Sequence, residues 1–256
     1  SFNLNPASAL ILMSGVYLAS SYGGSIAAIL VNTPGESASA ATLLDGYPMT
    51  QRGSGAEALG ISATGGCLGA MFGLIALAFT APLLASLALR FGPAENCLLA
   101  LFALSVISTI VKRNPMKGLI SSCIGLVLAT VGVDQVSGDI RFTFGLQAIE
   151  DGMPFIQTMV GLFAISQVLT LAEQDRPISK VELAGSGLLT GFKTTFKHPL
   201  TLIRSFLIGL WIGALPAAGR STASFIAYAE EIRAAKDKSQ FGKGNPVGVI
   251  ASETAN

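Results

Sequence analysis

Two stretches of this 256-residue chain hold residue types that can bind a small charged ligand. The first is Asn32-Thr33-Pro34-Gly35-Glu36-Ser37-Ala38-Ser39-Ala40-Ala41-Thr42-Leu43-Leu44-Asp45-Gly46, reached by the apolar run Ile26 to Val31. In the second, the apolar run Ile208 to Leu215 meets Pro216-Ala217-Ala218-Gly219, and Arg220, Ser221, Thr222 and Ser224 follow. Proline has no N–H and its ring clashes with the preceding turn, so a helix arriving at either point breaks. The half-helix beyond a break presents unpaired N–H groups and partial positive charge, which suit a carboxylate. The half-helix before it ends in free carbonyls, which suit sodium or a proton carrier. Asn32 and Thr33 stand at such a carbonyl end, and Ser37, Ser39, Thr42, Ser221, Thr222 and Ser224 add hydroxyls. Aligning Pro34 with Pro216 sets Ser39 on Ser221 and Thr42 on Ser224. One break alone reads as a proline kink with small packing residues. Two with matching flanks favour a transporter site between internal repeats.

Three charges near the breaks stay open between roles. Glu36 caps a helix or ligates a cation. Arg220 pairs with an anionic substrate, snorkels, or meets an acid outside this chain. Asp45 is placed at the end of its half-helix, where the dipole disfavours a carboxylate. It caps the Asp45-Gly46 turn or neutralises a bound cation. Glu36 and Asp45 are therefore the ion-coupling candidates, while Pro34, Gly35, Pro216 and Gly219 shape the backbone of the substrate site.

The elements that position these residues lie in lipid. Hydrophobic residues make up 51% of the chain and charged ones only 12%, against about 25% charged in a soluble domain. The mean hydropathy is +0.61. The expected fold is all-α: one polytopic transmembrane domain over residues 1–256, with broken-helix motifs at 23–48 and 208–228. A spanning helix needs about 20 apolar residues. Ala7 to Val31 supplies one. Ala58 to Leu89 is too long for one upright span, and Pro82 predicts a division or a strong tilt. Gly65, Gly69 and Gly73 mark a small-residue packing face along it. Leu98 to Val111, Met116 to Val133, Met153 to Ala172 and Leu200 to Leu215 supply the remaining segments. Ile178 to Phe196 reads as an amphipathic surface helix interrupted at Gly185-Ser186-Gly187, with a loose linker as its rival. Whether the second broken element crosses or re-enters stays open, and the basic loop after it favours re-entry.

Basic residues Lys112, Arg113 and Lys117, and again Arg176, Lys180, Lys193 and Lys197, flank a loop rich in Asp134, Asp139, Glu150 and Asp151. The positive-inside rule then places 112–117 and 173–199 in the cytoplasm and 134–151 outside.

Other chemistries are excluded by type. A formal net charge of +1 leaves no footprint for nucleic acid. Cys67, Cys97 and Cys123 sit singly in apolar runs and form no metal or disulfide pattern. The single histidine, His198, has no ligand or triad partner at useful spacing, so neither enzyme nor metal site is expected.

Several phrases carry a family likeness. Gly23-Gly24-Ser25-Ile26, Asn32-Thr33-Pro34-Gly35, Asp45-Gly46-Tyr47-Pro48 and Ala58-Leu59-Gly60 together resemble the large membrane subunit of the tripartite tricarboxylate transporter family (TctA type). So do Phe91-Gly92-Pro93, Arg141-Phe142-Thr143-Phe144-Gly145, Asp151-Gly152, Gly213-Ala214-Leu215-Pro216 and Glu253-Thr254-Ala255-Asn256. At the second break the family's usual Pro-Gly is replaced by Pro216-Ala217, with Gly219 two residues on. The resemblance implies a multi-pass protein of the bacterial inner membrane. It also implies ion-gradient-driven uptake of a carboxylate, coupled to sodium or protons with no other cofactor. A periplasmic solute-binding protein would deliver the solute, and a small membrane subunit would accompany the large one. The family's large subunit continues past Asn256, so the chain is expected to be a fragment. A channel-like or scaffold subunit without transport of its own is the alternative.

Overall fold

The computed structural model describes residues 5–88, 92, 94–95, 97–98, 101–102, 115–134, 137–166, 168–169, 185–214 and 219–256. In chain order the helices are α1 (Pro6–Val31), α2 (Ser39–Gln51), α3 (Gly55–Ala88), α4 (Pro115–Ala129), α5 (Phe155–Met159), α6 (Gly185–Lys197), α7 (Pro199–Gly213), α8 (Gly219–Ala234) and α9 (Pro246–Ala255). A π-helical stretch, Val160–Ile165, continues α5. Two-residue strands β1 (Gly132–Val133) and β2 (Ile140–Arg141) pair antiparallel after α4. The expected all-α class holds. The third apolar segment, Leu98 to Val111, lies mostly outside the described residues, as does the stretch 215–218 with Pro216.

α1 starts as its sequence dictates. Asn5 accepts a hydrogen bond from the Ser8 N–H at 2.7 Å, and Pro6 occupies the first turn, where a missing N–H costs nothing. It ends at Asn32, which takes the left-handed conformation (φ 58°) that asparagine tolerates better than most residues. The chain then folds back on itself. The Gly35 N–H donates to the Gly24 carbonyl at 3.3 Å. A Cβ on Gly35 would lie 2.6 Å from Gly24 Cα, so only glycine fits there. α2 begins beside Ser25, with Ser25 and Ser39 hydroxyls 3.3 Å apart, and it ends beside Ile29, whose carbonyl accepts from Thr50 Oγ1 at 2.7 Å. α2 thus runs in the same sense as the last turns of α1. The first break is a loop that retraces about 15 Å of helix before restarting, since Glu36 reaches Ser21, ten residues above Val31.

The second break reverses the chain. Thr201 and Arg204 near the start of α7 bond Glu231 near the end of α8, and Ile208 further along α7 packs against the cluster of Ala227, Ala251 and Ala255, so α8 returns antiparallel to α7. The turn between them, 215–218, lies outside the described residues. α9 then lies among α2, α3, α7 and α8. Among the described residues one buried apolar cluster holds Ile29, Met49, Ala58, Leu59, Ile61, Val249 and Ile250, and a second holds Ala227, Ala251 and Ala255.

One expectation is corrected. Pro82 does not divide the second apolar run, because α3 continues through it for 34 residues, or about 51 Å. Proline removes one hydrogen bond, and the rest of an apolar helix can carry that loss where no water competes. Gly185-Ser186-Gly187 forms the start of α6, and 178–184, the part of the expected surface helix before it, lies outside the described residues. A Cβ on Gly187 would lie 2.5 Å from Ala56 Cβ, so the glycines let α6 press against α3. α6 turns Gly191 and Thr195 inward and leaves Leu189, Phe192 and Phe196 exposed.

That inversion is general. Ser25, Ser39, Thr42, Asp45, Ser62, Ser252 and Glu253 are buried, while Phe79 is 84% and Trp211 72% exposed. Water does not favour so much bare apolar surface around a polar interior; lipid does. α1 from Ala7 and α3 to Ala81 are each long and apolar enough to cross a membrane.

Candidate functional site

The two breaks meet. Glu36, just after the first, forms an ion pair with Arg220, just after the second. The neighbouring hydroxyls of Ser37 and Ser221 hydrogen-bond to each other. Deeper in, Tyr228 Oη donates to Asp45 Oδ2 at 2.9 Å. These three pairs are 184, 184 and 183 residues apart, so α2 and α8 run side by side in one direction. The sequence alignment set Ser39 on Ser221; in space Ser221 meets Ser37.

Around this junction the polar groups form three tiers. At the mouth, Glu36 Oε1 accepts from Ser21 Oγ at 2.7 Å and from Asn256 Nδ2 at 3.3 Å. Asn256 Nδ2 also donates to Ser21 Oγ at 3.0 Å. The Arg220 guanidinium lies 3.9 Å above the Tyr17 ring, a cation–π contact that holds its plane. In the middle tier, Glu253 on α9 is 3% exposed. It accepts from Ser25 Oγ at 2.8 Å, from Ser62 Oγ at 2.6 Å and from Thr42 Oγ1. Thr42 also lies 3.0 Å from Ser252 Oγ. In the lowest tier, Asp45 Oδ1 accepts backbone N–H groups of Lys243, Gly244 and Asn245 at 3.1, 2.8 and 2.8 Å. Asn245 in turn caps α9 by accepting from the Val247 N–H at 3.0 Å.

A cavity of about 970 Å³ opens against the upper two tiers. Ser21, Tyr22, Ser62, Arg220, Glu253 and Asn256 give it polar walls, and Gly66, Gly69, Gly73, Leu74 and Phe206 give it apolar ones. Among the site residues expected from sequence, Arg220 is the one in this wall. Ser39 and Thr42 are buried behind it. Ser224 is buried, and its hydroxyl has no hydrogen-bond partner among the described residues. Asn32 caps α1, Thr33 Oγ1 donates to the Val31 carbonyl at 3.2 Å, and Pro34 is buried in the returning loop. Gly219 opens α8 at φ +62°, and Thr222 is half-buried on that helix. Pro216 lies outside the described residues.

Asp45 is not at the end of its helix. It sits in the middle of α2, where Oδ1 anchors the loop that carries α9 and Oδ2 accepts from Tyr228 on α8. The residues sequence reasoning did not select are Ser21, Ser25, Ser62, Ser252, Glu253 and Asn256. Glu253 and Asn256 stood in a phrase quoted for its likeness but unassigned. A carboxylate within the run Val247 to Ala255, so poor in charge, was the available signal.

Comparison with known proteins gives the chain's family. The family model for the tripartite tricarboxylate transporter TctA family matches residues 1–256. The chain belongs to that family. The family is named for a tripartite tricarboxylate transporter. An uncharacterised 52.8 kDa protein of Agrobacterium vitis, described as lying in the TAR-I ttuC' 3' region, is 36% identical over 257 residues, covering 100% of this chain and 51% of that protein. The chain therefore spans about half the length of that relative. No solved structure matches.

Proposed function

We propose that this TctA-family chain is the part of a multi-pass inner-membrane subunit that takes up a carboxylate by secondary transport. A periplasmic solute-binding protein delivers the solute, a small membrane subunit assists, and a sodium or proton gradient drives the step. The family's tripartite character supports the partners. The observation that carries the reading is the meeting of two helix breaks, through Glu36 and Arg220, at the wall of a cavity large enough for an organic acid. Arg220 is a planar donor suited to a carboxylate. Glu36 holds it in the absence of substrate and sets its direction. An arriving carboxylate exchanges with Glu36 for the guanidinium, which couples occupancy of the cavity to the contact between α2 and α8. The cavity's apolar walls exclude water and strengthen that pairing.

Uptake of labelled carboxylates into proteoliposomes bearing the full transporter tests this. Arg220→Gln is expected to weaken the half-saturating substrate concentration by about tenfold or more, as truncating a buried charge pair does. Arg220→Lys keeps the charge but not the fork, and falls between the two. Wild-type concentration dependence in Arg220→Gln, at matched protein levels, would reject the assignment.

A further inference from the structure

An ionised Glu253 would carry a charge that no group among the described residues balances. It is buried, and among the described residues no basic group pairs with it. Arg220, in the same cavity wall, is already paired with Glu36. A carboxylate away from water without a counter-charge is costly. Three hydroxyls converge on it from three different helices: Ser25 of α1, Thr42 of α2 and Ser62 of α3. Ser39 and Ser252 stand behind them, bonded to Ser25 and Thr42. A hydroxyl is a rotor. The oxygen that donates to a carboxylate can turn a lone pair toward a cation instead. One full negative charge within a shell of neutral oxygens matches a hard, singly charged ion. The absence of any grouping of three His, Cys, Asp or Glu among the described residues points away from a transition metal.

We propose that Glu253, with the hydroxyls of Ser25, Thr42 and Ser62, forms a binding site for a monovalent alkali cation, with sodium as the probe. The site rests on the transport reading for its role, as the place where the driving ion binds. Its position gives it consequences. The ion joins α1, α2, α3 and α9 at the level where the first break restarts. It also lies beside Asn256, which reaches Glu36. Filling the site therefore steadies the acid that orients Arg220. A bare proton would neutralise Glu253 without calling on a shell of hydroxyls, so the two ions make different demands on Ser62.

The test uses the full-length protein in detergent, with no carboxylate present. The thermal-unfolding midpoint is followed as sodium chloride replaces choline chloride at fixed ionic strength. A ligand that binds only the folded state raises that midpoint saturably. Wild type is expected to show the rise with sodium. Ser62→Ala should need about tenfold more sodium for half the effect, and Glu253→Gln should show none. If Glu253→Gln does not fold, Ser62→Ala and Thr42→Val decide between them. A midpoint indifferent to sodium in wild type overturns the proposal. So does an unchanged sodium response in Ser62→Ala, or stabilisation by lowered pH in place of sodium. Because no substrate enters the assay, its failure leaves the carboxylate reading standing. A normal sodium response with unaltered uptake in Arg220→Gln would remove the Arg220 assignment alone.

Discussion

Asp45 and Glu253 are both acids on buried helix faces, and the donors around them set their roles apart. Asp45 receives three backbone N–H groups and the Tyr228 hydroxyl. Backbone donors cannot rotate away, so its acceptor capacity is committed to holding the loop before α9. Glu253 receives hydroxyls alone, which can turn. The first acid is expected to act as an anchor and the second as a ligand. Asp45→Ala strands three loop N–H groups and should cost about 3 kcal/mol or more, whereas Tyr228→Phe removes one bond of four and should cost about 1 kcal/mol. Thermal unfolding in detergent reads this order. Tyr228→Phe should also keep the full sodium response, since its ring lies in the lower tier. Equal midpoints for Asp45→Ala and wild type would remove the anchor role.

At the scale of elements, the glycines of α3 decide how close α9 comes. A Cβ on Gly69 would lie 2.5 Å from the Thr254 carbonyl oxygen, whereas one on Gly73 meets nothing within 4 Å. Thr254 is next to Glu253, so a methyl group at residue 69 must push the proposed ligand away from Ser62. Gly69→Ala is expected to impair uptake and the sodium response, and Gly73→Ala to leave both near wild type. Identical behaviour of the two would mean that α9 yields freely. The sequence announced this stripe, and it announced both breaks, because proline, glycine and small residues act locally. It did not show that the first break retraces its helix, since that path depends on Gly35 meeting Gly24, a contact between helix and loop. Nor did it select Glu253, since the hydroxyls that define its surroundings come from Ser25, Thr42 and Ser62, far apart in the chain. The repeat alignment set Ser39 and Ser221 as equivalent positions, and it is Ser37 that touches Ser221, because equivalent positions in repeats need not touch.

Many large apolar residues among those described face outward, and at this scale the orientation of the chain in a membrane follows from its charges. Charges before and after α4 offer a direct reading. Lys117 stands in its first turn, and Asp139 lies just before β2, in the ribbon that follows the helix. Asp134 of that ribbon pairs with Arg141 at 2.9 Å, so the acidic loop is folded at the surface. α4 has 15 residues, about 22 Å of helix, and the turn and ribbon after it extend the distance toward the thickness of a hydrocarbon core, about 30 Å. Lysine and arginine near the start of α4 favour the cytoplasmic face for Lys117 and leave Asp139 outside. Cysteine labelling checks this once Cys67, Cys97 and Cys123, all exposed, have been replaced. In spheroplasts, an impermeant maleimide is expected to label Asp139→Cys directly and Lys117→Cys only after the membrane is opened. Labelling of both from outside would mean that α4 does not cross. The reverse pattern would put the basic loops outside, and the cavity bounded by α1, α3, α7 and α9 would then face a solute arriving from the opposite side.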